Sequence, residues 1–185
     1  MALTPSTMMP LGTTAPDFTL PDTISGKRIS LQNTKGAKGT LVMFICNHCP
    51  YVKHIKDALS KLGKDYAQSG ISIIAINAND AQNYPDDAPD KMTAFAKQNS
   101  FVFPYLYDES QNVAKAYGAA CTPDLFLFDG NLKCVYRGQF DDSRPGNNIP
   151  VTGNDLRAAI DNLLAGKAIN SKQTPSMGCN IKWKT

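Results

Sequence analysis

Two apolar runs frame this chain: residues 41–45 (LVMFI) and 71–76 (ISIIAI), each of strand length and almost free of polar side chains. A strand written as a continuous apolar run, rather than an alternation, is covered on both faces, the usual condition of a parallel strand. Between them Val52, Ile55, Leu59, Leu62 and Tyr66 recur at three- and four-residue steps, while Lys53, Lys56, Asp57, Lys61 and Lys64 fill the opposite side. That periodicity predicts an amphipathic helix. Strand, helix and strand make a right-handed βαβ unit, so the fold class is α/β, a central sheet flanked by helices. At 185 residues the chain fits one such domain.

The rest of the sequence extends this frame. Residues 1–14 are polar, Pro/Thr-rich and aperiodic, and read as a flexible N-terminal arm. The domain proper is expected over 15–170, followed by a C-terminal tail, 171–185, that docks on it. Residues 15–31 alternate around a Gly-containing turn, as a hairpin would. The Asn/Asp/Pro-rich stretch 77–90 reads as a long surface loop, and Pro89 opens a helix to about Gln98. A short helix over 110–117 ends at Gly118. Asp129-Gly130 joins two further strands, 124–128 and 132–137, as an antiparallel hairpin. Thr152 and Asp155 are placed as a capping-box variant for a last helix carrying Leu156, Ile160, Leu163 and Leu164.

Charge narrows the partners. The net charge of +3 is spread over mixed signs without a run of five like charges, which argues against nucleic acid or an anionic membrane. The first fifteen residues lack the basic start and apolar stretch of a signal peptide, and no segment reads as a bilayer span. The expected compartment is the cytoplasm, where five cysteines are catalytic, metal-binding or buried rather than a disulfide framework.

Chemistry concentrates in Cys46-Asn47-His48-Cys49-Pro50, where the first apolar strand gives way to the helix. A thiol at a helix N-terminus meets unpaired N–H groups and the positive end of the dipole, both of which favour thiolate. Cys46 is therefore expected to be the more acidic, attacking thiol, with Cys49 resolving the mixed disulfide and His48 tuning acidity from between them. A CxxC that follows a strand and opens a helix supports a thioredoxin-like redox site. Zinc binding is the alternative, but Cys121, Cys134 and Cys179 are scattered singly and offer no second pair. Thr122-Pro123 stands directly before an apolar strand, the place where thioredoxin-like folds set a cis-proline facing the dithiol. Trans is the commoner isomer by base rate. Cys121 would then lie near the dithiol, as a redox thiol or a small buried hydrophobe. Cys134, in alternation with Leu132 and Tyr136, reads as core, and His54 as a solvated helix residue. Arg137 reads as an anchor for the acidic loop that follows it. Cys179, in the tail SMGCNIKWKT, is a candidate resolving thiol.

The segments APDFTL, LVMFI, CNHCPYVKH, INANDAQNYPDD, CTPDLFLFD, VYRGQFDDSRPGN and GCNIKWK together resemble the peroxiredoxin-like branch of the thioredoxin superfamily, the alkyl hydroperoxide reductase/thiol-specific antioxidant (redoxin) proteins. The resemblance covers nearly the whole chain and implies a thioredoxin-like fold with an extra N-terminal hairpin. In a peroxiredoxin the peroxide-attacking Cys precedes a Pro, which matches Cys49-Pro50, and follows a Thr or Ser by three residues. Here that earlier position is Cys46, and the upstream Pro of the motif is replaced by Val42. The departure favours dithiol exchange over peroxide reduction, with Cys46, Cys49, His48, Thr122 and Pro123 as the site. The implied substrate is a disulfide-containing protein or a small thiol compound, with peroxide as an alternative. The thioredoxin or glutathione system would be the reductant, and no cofactor is needed beyond the thiols.

Overall fold

The computed structural model describes residues 3–185. Its central strand, β4 (Gly39–Phe44), is buried at all six positions and takes the middle of a five-stranded sheet. Parallel to it runs β5 (Ile71–Asn77), which in turn pairs in parallel with β6 (Tyr105–Tyr107). On the other side β8 (Asp124–Asp129) is antiparallel to β4, and β9 (Cys134–Tyr136) is antiparallel to β8. Helix α2 (Pro50–Tyr66) makes the predicted crossover between β4 and β5.

Alternation along these strands sorts the interior into two layers. Leu41, Met43, Ile73, Leu125 and Leu127 point to one face, where Val52, Ile55, Leu59 and Leu62 of α2, Met92 of α3 (Pro89–Gln98) and Ile160 of α5 (Asn154–Leu164) cover them. Val42, Phe44, Ile74, Ile76, Phe126 and Phe128 point to the other. That face is closed by Tyr117 of α4 (Asn112–Tyr117), Leu31 of α1 (Leu31–Thr34), and Leu20 of the hairpin β2 (Thr19–Pro21) and β3 (Arg28–Ser30). This hairpin is the predicted N-terminal extension.

The N-terminal arm is not loose: β1 (Leu3–Pro5) pairs with β10 (Met177–Asn180), which also pairs with β7 (Cys121–Thr122) in a separate three-stranded sheet. The loop 77–90 reaches the surface at 82–86 and 89–90, as expected, but its ends turn inward: Asn77, Asn79, Asp80 and Asp87 are buried, and a 3₁₀ turn spans Pro85–Asp87. At the start of helix α5 Thr152 Oγ1 accepts from the Asn154 N–H (3.3 Å), but Asp155 does not close a capping box and instead accepts from Gln139 Nε2 (2.8 Å); Asp141 accepts from the N–H groups of Thr152 (2.7 Å) and Gly153 (2.6 Å). Arg137 anchors the arm and tail rather than the acidic loop, donating to Met9 O (2.8 Å) and Gln173 Oε1 (2.7 Å). Among the described residues no helix is long and apolar enough to cross a membrane.

One buried charge carries a measurable cost. Asp124 opens β8 fully buried; Oδ2 accepts from the Ala120 N–H (3.1 Å), and Oδ1 has no hydrogen-bond partner. Burial pushes its carboxyl up to about 6. Between pH ~4 and ~6 the folded chain keeps a proton that the unfolded chain has lost, so stability falls as pH rises through that window, by about 3 kcal/mol. The difference in unfolding free energy between wild type and Asp124→Asn should therefore slope downward across the window and level off above it. A flat difference would show that Asp124 ionises normally.

Candidate active site

The parallel pair and the antiparallel strand bring three connections to one edge of the sheet. The carboxyl ends of β4 and β5 lie there, and because Phe44 stands opposite Asp124, so does the segment that enters β8. The first connection holds Cys46 to Cys49, the second Asp87, and the third Thr122-Pro123, whose peptide bond is cis. All four of the leading predicted residues other than His48 are therefore drawn to a single point, and His48 joins them through Asp87.

Thr122 sits between the sulfurs. Its Oγ1 lies 3.3 Å from Cys46 Sγ, and its carbonyl accepts from the Cys49 thiol at 3.2 Å. Neither cysteine reaches the surface, with exposures of 1% for Cys46 and 0% for Cys49. Both are free thiols in this structure.

The expected order of acidity is reversed. Helix α2 begins at Pro50 with Cys49 as its N-cap, so the dipole and the free N–H groups of the first turn serve Cys49, one turn closer than Cys46. Hydrogen bonding from Cys46 holds the Cys49 thiol well below the ordinary range; burial opposes this, and Cys179, Thr122 and the Val52 N–H add to it. Cys46 is pushed up by the same bond to Cys49, by burial, and by the negative charge of Asp87. In this structure the Cys49 thiol donates to the Thr122 carbonyl, and the opposed shifts make it the first of the two to ionise.

Asp87 is the site residue that the sequence reading did not single out. Completely buried, it accepts from the Asn47 N–H (2.7 Å), His48 Nδ1 (2.6 Å) and Asn79 Nδ2 (2.8 Å). Burial raises its carboxyl, but the His48, Asn79 and Asn47 donors outweigh burial and leave it below the usual range. The ring of His48 also stacks on Tyr84, centroids 5.6 Å apart, and its Nε2 is buried without a partner. Its one signal in the sequence was placement: an Asn/Asp-rich connection leaving the same sheet edge as the CxxC, where open α/β sheets gather their sites.

The remaining candidates separate cleanly. Cys179, directly opposite Thr122 in the β10–β7 register, packs in the same core layer as Cys46 and Cys49. Cys121 is paired with Asn180, so alternation turns it to the other side of that ribbon, where its thiol donates to Pro123 O (3.5 Å). It lies near the dithiol without joining it, and burial with the Asp124 charge holds it protonated. Cys134 is core, as expected, in the layer opposite the dithiol together with Leu132, while Tyr136 falls in the dithiol layer. His54 is not a solvated residue: half-buried, it bonds Ser143 Oγ at 2.7 Å and ties α2 to the loop before α5.

Among the described residues the one group with metal-ligand spacing is Cys46, His48 and Asp87, whose ligand atoms lie within 4.8 Å of one another. Both oxygens of Asp87 are already engaged by three donors, and the other cysteines are not gathered into the group. A metal ion held by His48 Nδ1 would have to displace its bond to Asp87.

A buried cysteine pair at the mouth of the first α/β crossover, beside a cis-proline, sits on a thioredoxin-like fold. A thioredoxin domain of a thiol-disulfide oxidoreductase from Bacteroides vulgatus shares this fold, with a TM-score of 0.66 over 85% of this chain and 99% of that one at 20% identity. The chain belongs to the AhpC/TSA family, whose model matches residues 11–137. Thiol-disulfide oxidoreductase ResA of Bacillus thuringiensis is 30% identical over 127 residues, 69% of this chain and 68% of that protein. A conserved, uncharacterised protein of Geobacillus kaustophilus superposes with a TM-score of 0.98 at 55% identity, covering 100% of this chain and 97% of its own.

Proposed function

We propose that the protein is a thiol:disulfide oxidoreductase that works through the Cys46–Cys49 dithiol. The observation that carries this reading is the pair of sulfurs anchored to the two sides of Thr122 at the N-terminus of α2, one favoured as thiolate and one as thiol. Kinship with thiol-disulfide oxidoreductase ResA supports it.

In the proposed cycle the Cys49 thiolate attacks a disulfide of a protein or small molecule and forms a mixed disulfide. The first half of the substrate leaves as thiolate. Cys46 then attacks the Cys49 sulfur and passes its proton to the second departing thiolate, which leaves a Cys46–Cys49 disulfide and a reduced substrate. His48, oriented by Asp87, tunes the pair, and Thr122 with Pro123 shapes the groove. The thioredoxin or glutathione system would restore the dithiol, in a cytoplasmic setting. Because both sulfurs are buried, each exchange requires a local opening of the site.

The same low-pKa Cys49, followed by Pro50, favours a second reading, peroxide attack giving a sulfenic acid that Cys46 condenses with loss of water. Insulin reduction and peroxide consumption measured side by side, with acid-quenched disulfide mapping, decide between them. Turnover of insulin with accumulation of Cys46–Cys49 disulfide is expected. Faster peroxide turnover with a trappable sulfenic acid would replace the first reading by the second, and an inert, metal-bound pair would overturn both.

A further inference from the structure

The cycle above uses two thiols, and the chain brings a third against them. Cys179 comes from β10, more than a hundred residues from the dithiol in sequence, yet it stands opposite Thr122 in the β10–β7 register. Directly opposed residues in an antiparallel pair place their side chains on one face. Thr122 directs its hydroxyl to Cys46 on that face, so Cys179 is delivered to the dithiol side of the ribbon. Its exposure is 5%, it shares a core layer with Cys46 and Cys49, and its thiol lies beside Cys49. Cys49 is thus the middle sulfur, with Cys46 and Cys179 as neighbours.

This seat is built rather than incidental. A Cβ on Gly178 would fall 2.0 Å from the Thr122 carbonyl oxygen, a contact that only glycine avoids, and that close approach sets the depth of Cys179. The outer edge of β10 is held by β1, and Ser6 N–H donates to Ser176 O at 2.8 Å. Beyond it, buried Gln111 donates to Lys182 O (2.8 Å) and accepts from Lys184 N–H (2.9 Å), while Ile181 N–H donates to Ala120 O (3.0 Å).

We propose that Cys179 is a second resolving thiol, which attacks the Cys49 sulfur of a mixed disulfide in place of Cys46. The Cys179–Cys49 bond forms as the Cys49–substrate bond breaks, the Cys179 proton goes to the departing thiolate, and two protein thiols are oxidised as one substrate disulfide is reduced. Cys46 can then attack Cys49 in turn, exchanging Cys49–Cys179 for Cys46–Cys49 with no net redox change. Burial pushes the Cys179 thiol up to about 12, so it stays protonated until a departing thiolate can take its proton. The inference rests on the dithiol reading with Cys49 as nucleophile.

The test is oxidation of reduced Cys46→Ser by glutathione disulfide, with acid quenching and peptide mapping, run beside wild type and repeated with Cys46→Ala in case serine unsettles the buried site. A Cys49–Cys179 disulfide is expected in both variants, together with residual insulin reduction that disappears in Cys46→Ser/Cys179→Ser. Glutathione lodged stably on Cys49 with Cys179 free would overturn the inference. Wild type reports separately on the dithiol: failure to form Cys46–Cys49 there overturns that reading and the inference with it, whereas Cys46–Cys49 in wild type without Cys49–Cys179 in the variants overturns the inference alone.

Discussion

Replacing Cys49 with serine should lower insulin reduction by roughly a thousandfold or more, because a serine hydroxyl cannot serve as the leaving and attacking group of disulfide exchange. Replacing Cys46 should cost less. The asymmetry follows from the placing of three sulfurs: Cys49 caps α2 and touches both of the others, whereas Cys46 lies a turn upstream beside the negative charge of Asp87. Removing the middle sulfur leaves two protonated thiols without a nucleophile between them. Removing Cys46 leaves a thiolate that can still be resolved from the tail. The measurement is steady-state insulin reduction on both variants, paired with the ultraviolet absorbance of thiolate in the reduced proteins. The acid-stable thiolate signal should vanish in Cys49→Ser and persist in Cys46→Ser. The opposite pattern, a dead Cys46→Ser and a Cys49→Ser that accumulates substrate adducts on Cys46, would restore Cys46 as the attacking thiol.

The reversal shows where sequence reading loses resolution. The βαβ unit was legible because its signal is collective: residues 41–45 and 71–76 are apolar but for Ser72, and five apolar positions of α2 repeat at helical spacing. The CxxC was legible because its context is a strand followed by a helix. What the spacing could not tell was whether the helix begins before or after Cys49, and that offset decides which sulfur the dipole serves. Pro50 was the available signal, since proline favours the first helical position and so makes the residue before it the cap. Strands β1, β7 and β10 span two to four residues each and have no periodicity to read. Their pairing is stabilised by contacts between the two ends of the chain. The connection 77–90 is exposed over its middle, as its composition suggests, but its buried ends escape that signal for a different reason. Its Asn and Asp side chains signal solvent by composition, yet here they satisfy buried backbone and ring donors that nothing else reaches. Composition reports the cost of burying a polar group, and only the fold reveals the partners that offset it.

Asp87 concentrates that point, and Asp87→Ala is expected to destabilise the protein by about 3 kcal/mol or more at neutral pH, since each of three buried donors left without an acceptor costs roughly 1–3 kcal/mol. The substitution would leave the Asn47 N–H, the His48 ring and the Asn79 amide without their acceptor, in a site where His48 Nε2 already has none. The pH dependence follows from the sign of the carboxyl's shift. Because the folded state holds Asp87 below the ordinary carboxylate range, its stabilisation is fully present above pH ~4 and fades as acid protonates the folded carboxylate. Urea unfolding of wild type and Asp87→Ala should therefore show a difference that is flat from neutral pH down to about 4 and shrinks below it. Asp87→Asn separates charge from hydrogen bonding: it keeps one acceptor for the Asn47 N–H but removes the negative charge beside Cys46. In that variant the second, higher thiolate transition should move to lower pH. A loss of stability under about 1 kcal/mol in Asp87→Ala, with thiolate titration unchanged in Asp87→Asn, would mean that the buried carboxylate neither holds the CxxC loop nor places the proton on Cys46.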